Sequence, residues 1–171
     1  MTDIEKIKTQ KLIADEIIIA QLTKQWQLID EDLKNWTKIY IDIQAKSKWT
    51  LYRVDGYLQG GGYPILAKHP LPDTKQLIEI ALFSDSEDEV FAACRTLTDN
   101  EAIRKEDFRN DLIEELEKND YKHRQEKVVN LTNLDSPLNR RDIIGKTIDQ
   151  VKLDATYFRS IAGRAKKLRK E

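Results

Sequence analysis

The sequence predicts an all-α protein, an irregular array of antiparallel helical hairpins forming a single domain over residues 1–171. Three observations carry that expectation. Residues 73–100, DTKQLIEIALFSDSEDEVFAACRTLTDN, read as a helix, a tight acidic turn and a second helix, each apolar on one face. Residues 3–46 hold no Gly and no Pro. Within them Trp26, Ile29, Leu33, Trp36, Tyr40 and Ile43 step by three and four, which places six large side chains on one helical face. Finally, Asp73 with Gln76, Ser86 with Glu89 and Thr147 with Gln150 have the spacing of capping boxes, in which two helix-start amides are satisfied reciprocally.

Taken in order, Ile4, Ile7, Ala14 and Ile18 begin a looser stripe, so residues 3–46 are expected to form two helices broken near 22–24. Residues 49–72 interrupt the pattern with four of the six Gly and three of the four Pro. They are expected to be a loop or a short hairpin, with Asp55-Gly56 as its turn between 51–54 and 57–58. In the central pair Leu77, Ile78, Ala81 and Leu82 face inward, as do Val90, Phe91, Cys94 and Leu97. A third helix is expected over 105–118 and a shorter one over 121–131. Ser136-Pro137 reads as an N-cap followed by proline at a first helical position. From Thr147 the stripe Ile148, Val151, Ala155, Phe158, Ala162 and Ala165 marks the last helix, with small residues suited to close docking.

The bulk composition is that of a globular chain: 171 residues, 40% apolar and 35% charged, with a formal net charge of −1. Near-neutrality hides an asymmetry. Residues 71–120 hold 15 Asp/Glu against 6 Lys/Arg, and residues 138–171 hold 10 Lys/Arg against 4 Asp/Glu. The single cysteine, Cys94, excludes an intrachain disulfide and fits a reducing compartment. Acids and lysines interleave through the first sixteen residues, unlike a secretory signal or a membrane span, so the protein is expected in the cytoplasm.

No residue set supports an enzyme. His69 and His123 lack metal-ligand spacing, so neither a metal nor a cofactor is expected. Cys94 falls on an apolar helix stripe, where thiols are inert. Gly60-Gly61-Gly62 lacks the Lys-Ser or Lys-Thr of a phosphate loop. The candidate partner-binding residues are two groups. Asp85, Glu87, Asp88 and Glu89 form an acidic run at a helix start, readable as a patch for a basic partner or as dipole complementation. Trp49, Tyr52, Tyr57 and Tyr63 lie beside the glycines, either as core or as a recognition surface. The basic end, Arg164, Lys166, Lys167, Arg169 and Lys170, is readable as a nucleic-acid contact or as ordinary helix C-terminal charge.

The segment LIEIALFSDSEDEVFAACRTLTDN resembles HEAT-type repeats, over about 28 residues of the chain as a whole. The proline kink usual in the first helix of that repeat is missing. Small proteins of this look are similar to HEAT-like immunity proteins of bacterial toxin–immunity systems. The resemblance implies a non-enzymatic protein-binding module that neutralises a cognate toxin by binding it. A different reading is a nucleic-acid-associated regulator that uses the basic C-terminal helix.

Overall fold

A computed structural model of the chain describes residues 7, 9–56, 60–118 and 122–169. The described elements run β1 (Leu12–Ile13), α1 (Glu16–Gln25), β2 (Gln27–Asp32), β3 (Thr37–Asp42), β4 (Ser47–Val54), β5 (Tyr63–Lys68), α2 (Thr74–Phe83), α3 (Glu87–Arg104), α4 (Arg109–Lys118), α5 (Lys122–Thr132) and α6 (Ile148–Leu168). The fold is therefore mixed α/β, and the all-α, HEAT-like array is corrected. The chain divides into two compact units, Met1–Thr96 and Leu97–Glu171, with α3 running through the boundary.

The first unit is built on an antiparallel sheet of order β1-β5-β4-β3-β2. Two of its strands, β2 and β3, arise where a second helix was expected. The apparent helical stripe is a coincidence of spacing, because Leu33, Trp36 and Ile43 sit in turns and are 77%, 72% and 66% exposed. The stronger signals are local. Thr37, Ile39, Tyr40 and Ile41, then Trp49, Thr50, Tyr52 and Val54, are β-branched or aromatic residues that pack well on a pleated surface. The two turns carry no glycine, which concealed them. Each opens on an aspartate whose Oδ1 accepts two backbone amides: Asp32 from Lys34 and Asn35, Asp42 from Gln44 and Ala45. Each closes on a left-handed residue, Trp36 at φ 53° and Lys46 at φ 49°. Of the helices expected over 3–46 the structure keeps α1, Glu16–Gln25, and replaces the second by β2 and β3; residues 3–6 and 8 lie outside the described residues.

Alternation across the strands separates two cores. Tyr40, Trp49, Leu51 and Leu66 point to one face, where Ile19, Leu22 and Trp26 of α1 and its C-cap meet them. Trp26 stacks on Trp49 with centroids 5.3 Å apart. Thr50, Tyr52, Val54, Ile65 and Ala67 point to the other face, which the first half of α3 reaches. Tyr52 Oη and Thr96 Oγ1 lie 3.1 Å apart, Tyr63 meets Phe91 edge-on at 5.3 Å, and Arg95 forks onto the buried Asp55. A hairpin does follow Val54, but its second strand is β5 rather than 57–58, paired from Val54↔Tyr63 to Trp49↔Lys68. Their connection, 55–62, is longer than Asp55-Gly56 alone, and 57–58 lie outside the described residues. Gly62 is obligatory there: at φ 73° a Cβ would stand 2.0 Å from the Val54 carbonyl.

Helix boundaries follow the capping signals in two of three cases. The boxes at Asp73–Gln76 and Thr147–Gln150 are complete. At Ser86–Glu89 only the half from Ser86 Oγ to the Glu89 amide forms, at 3.3 Å. In the second unit α4 starts at Arg109 rather than 105, because Lys105 adopts φ 62° and ends α3. No helix follows Ser136-Pro137; Ser136 Oγ accepts only the Leu138 amide. Phe108, Leu112, Ile113, Leu116, Val128 and Phe158 are buried in this unit. Ala162 and Ala165 are buried too, and α6 packs against both α4 and α5, as its small-residue seam suggests. The Arg109 guanidinium, 1% exposed, forks onto Glu101 at 2.6 and 2.8 Å and stands 5.0 Å over the Phe158 ring.

The strand assignment makes opposite demands on two tryptophans. Trp49→Ala is expected to cost about 3–5 kcal/mol, as a truncated core aromatic does. Trp36→Ala is expected to cost less than about 0.5 kcal/mol, as an exposed substitution does. Urea unfolding of both variants checks this, and a large loss at Trp36 would restore the helical stripe.

Candidate functional site: exposed ribbon tip and acidic helix start

The four acids at 85–89 divide into two roles. The α2–α3 connection is Ser84–Ser86, and hydroxyls order it: Ser84 Oγ donates to Glu89 Oε2 at 2.7 Å and accepts from the Ser86 amide at 3.1 Å. Glu89, 8% exposed, then turns its Oε1 to the amides of Lys11 at 2.6 Å and Leu12 at 3.3 Å. Asp88 Oδ2 takes the next outward amide, Ala14, at 2.9 Å. These two carboxylates hold β1 in place, so they are occupied internally. Asp85 and Glu87 are exposed. Nothing in the sequence pattern separates the pairs, because the amides that recruit Asp88 and Glu89 lie more than seventy residues upstream.

The aromatic candidates separate in the same way. Trp49 is 1% exposed and belongs to the core, so its reading as a binding residue is corrected. Tyr52 is half-buried and engaged with Thr96. Tyr57 lies outside the described residues. Tyr63 is 40% exposed, with Phe91 and the Arg95 guanidinium against its ring. Phe91, read from the sequence as core, is only half-buried.

The basic end is largely committed inside the second unit. Arg164 makes a bidentate pair with Glu117 at 2.8 and 2.6 Å, which holds the Glu117 carboxyl below its usual range. Arg169 pairs with Asp135 at 2.6 Å. Lys166 and Lys167 are exposed, and Lys170 lies outside the described residues. Arg141 is likewise spent, bridging Asp154 at 2.7 Å and Asp107 at 2.5 Å under the Tyr157 ring.

The surface that sequence reasoning missed is the tip of the β2–β3 ribbon. Leu33 and Trp36, both more than two-thirds exposed, project from a four-residue turn. Asp32 stiffens that turn, since its Oδ2 also takes the Asn35 side-chain amide at 2.6 Å. Those bonds hold the Asp32 carboxyl below its ordinary pKa. Every residue of β2 is exposed, and Lys38 on β3 clasps Glu31 across the ribbon at 2.7 Å. A preorganised turn presenting Trp36 to solvent offers the residue type that leads interaction hot spots, with Leu33 adding apolar area beside it. The legible signal was Asp at 32 and 42 with a polar-apolar mixture between, a spacing shared by both turns.

Among the described residues no group of His, Cys, Asp and Glu is arranged to hold a metal ion, and Cys94 is buried and forms no disulfide. No helix among the described residues is long and apolar enough to cross a membrane.

Three carboxylates give testable signs. Glu89→Ala leaves two amides and a hydroxyl without their acceptor, each costing about 1–3 kcal/mol where buried; thermal unfolding should register the sum. Lys146 first and Arg141 second hold Asp154 below the usual carboxyl value. Its contribution is complete above the unfolded value of about 3.9 and is lost as pH falls through the depressed folded value. Asp154→Asn should therefore flatten acid unfolding. Burial pushes Asp88 the other way, against the Ala14 hydrogen bond. Its ionisation lowers stability above the raised folded value, and that penalty disappears on acidification. Asp88→Asn, which keeps an acceptor for Ala14, should hold or raise the neutral-pH melting temperature. A fall would reverse this assignment.

No family model matches the sequence, and no significant match is found to a curated protein or to a solved structure.

Proposed function

We propose that this chain is a non-enzymatic protein-binding module of the cytoplasm, acting as an inhibitor that holds a partner protein through the tip of its β2–β3 ribbon. The observation that carries the reading is the exposure of Trp36 and Leu33 on a turn braced by Asp32. Two large apolar side chains held in water on a stiff turn gain most of their burial only when a partner covers them. The specific setting we favour is toxin neutralisation, in which binding a folded toxin is the whole activity and no catalytic group is required. The nucleic-acid reading is weaker, because Arg164 and Arg169 already face Glu117 and Asp135.

The test is affinity capture from the native host with wild-type protein and with Leu33→Ala/Trp36→Ala, both shown to be folded by thermal unfolding. A protein retained by the wild type should bind the double variant at least roughly thirty-fold more weakly, the cost of losing a hot spot of about 2 kcal/mol. Equal retention removes the ribbon tip from the interface. The retained partner should arrest growth when expressed alone and be silenced by co-expression; growth arrest that persists with both proteins present excludes inhibition.

A further inference from the structure

We infer that the first unit also carries a docking groove for a basic, amphipathic segment of a partner protein, formed by the outer face of α2 and the α2–α3 connection. The groove, of about 900 Å³, is lined along α2 by Gln76, Glu79, Ile80 and Phe83. These positions are i, i+3, i+4 and i+7, a single helical stripe. The opposite stripe, Leu77, Ile78, Ala81 and Leu82, is already buried. On this outer stripe Ile80 and Phe83 add an apolar edge beside the polar Gln76 and Glu79, and it ends in Phe83, 61% exposed. Ile7 lines the groove as well.

The charge of the groove chooses the occupant. Its described lining holds three carboxylates, Glu79, Asp85 and Glu89, and one lysine, Lys11. Residues 71–89 as a whole hold six Asp/Glu and a single Lys. Glu89 is spent on Ser84 and the β1 amides. Glu79 and Asp85 are different: both are exposed, and neither has a hydrogen bond or ion pair among the described residues. Most carboxylates around the buried arginines and α6 are paired; these two are not. A neutral apolar partner settling on Phe83 and Ile80 would strip water from both carboxylates without compensation. A segment carrying Lys or Arg beside Leu or Ile replaces that water with charge-assisted hydrogen bonds and covers the apolar stripe at once. An anionic lipid surface or an acidic peptide is repelled.

The inference rests on the reading that this chain binds a protein, but its test does not use the native partner. A synthetic amphipathic helix of Lys and Leu, and a matched one of Glu and Leu, are titrated against the full chain by fluorescence anisotropy. The Lys peptide should bind, more weakly as salt rises. Glu79→Lys/Asp85→Lys should weaken it by about ten-fold or more, and Phe83→Ser should weaken it too. All three sites are exposed, and thermal unfolding confirms that each variant is folded. Leu33→Ala/Trp36→Ala should bind the peptide as the wild type does, so a failed capture experiment leaves this result standing. Absence of binding, equal binding of the Glu peptide, or affinity unchanged in the groove variants overturns the proposal. So does self-association in sedimentation that the groove variants abolish, which would make a second copy of the chain the occupant.

Discussion

The buried Glu89 carboxylate joins three elements, α2, α3 and β1. One oxygen takes the Ser84 hydroxyl at the end of α2, and the other takes the Lys11 and Leu12 amides at the edge of the sheet. Its own amide is capped by Ser86 at the start of α3. β1 depends on this arrangement, because its ladder with β5 is only two residues long, Leu12↔Ala67 and Ile13↔Leu66. Both of its side chains are nevertheless fully buried. A strand that short does not hold itself, and the Lys11, Leu12 and Ala14 amides find their acceptors in side chains rather than in a longer ladder. The first turn of α3 provides two, where the helix dipole also favours negative charge.

Several of the acids in this protein are engaged internally, and that changes how its composition is read. The −9 balance implied by 15 acids and 6 bases over 71–120 suggests one large acidic face. Yet Asp88 and Glu89 brace β1, Glu101 holds Arg109, Asp107 meets Arg141 and Tyr157, and Glu117 meets Arg164. The Arg109–Glu101 pair illustrates the logic. Buried ion pairs add little net stability, because desolvation offsets attraction, but an unpaired member is severely destabilising. Such a pair fixes which way α4 presents itself in its unit. Arg164 and Arg169 at the basic end are paired in the same way, which leaves Lys166 and Lys167 exposed, so that end is less available than its count implies.

What remains for a partner is small and specific. The ribbon tip offers apolar area on a turn that loses little entropy on binding, since Asp32 has already ordered it. The outer face of α2 offers an aromatic ring between two unpaired carboxylates. Edge strand β2 is less inviting: Ile29 is an extra residue in its ladder with β3, and Asp30, Glu31 and Asp32 follow, both familiar protections of a sheet edge.

The amino-acid sequence by itself determined the helical second half. Capping boxes at Asp73 and Thr147 and the stripe ending in Phe158, Ala162 and Ala165 are local signals, and local hydrogen bonds realise them. It also marked a chain reversal after Val54, but the returning strand was expected at 57–58, whereas β4 pairs with 63–68. Only the tertiary structure decided the rest. The spacing of Trp26, Leu33, Trp36 and Tyr40 fits a helix and a ribbon equally, and the ribbon prevails because Trp26, Tyr40 and Trp49 then share one core while Leu33 and Trp36 go to turns. No local rule marks a left-handed Trp36 or Lys46 without glycine. The division of Asp85, Asp88 and Glu89 into free and committed acids depends on where β1 lies, and long-range amides have no signature in the residues that accept them.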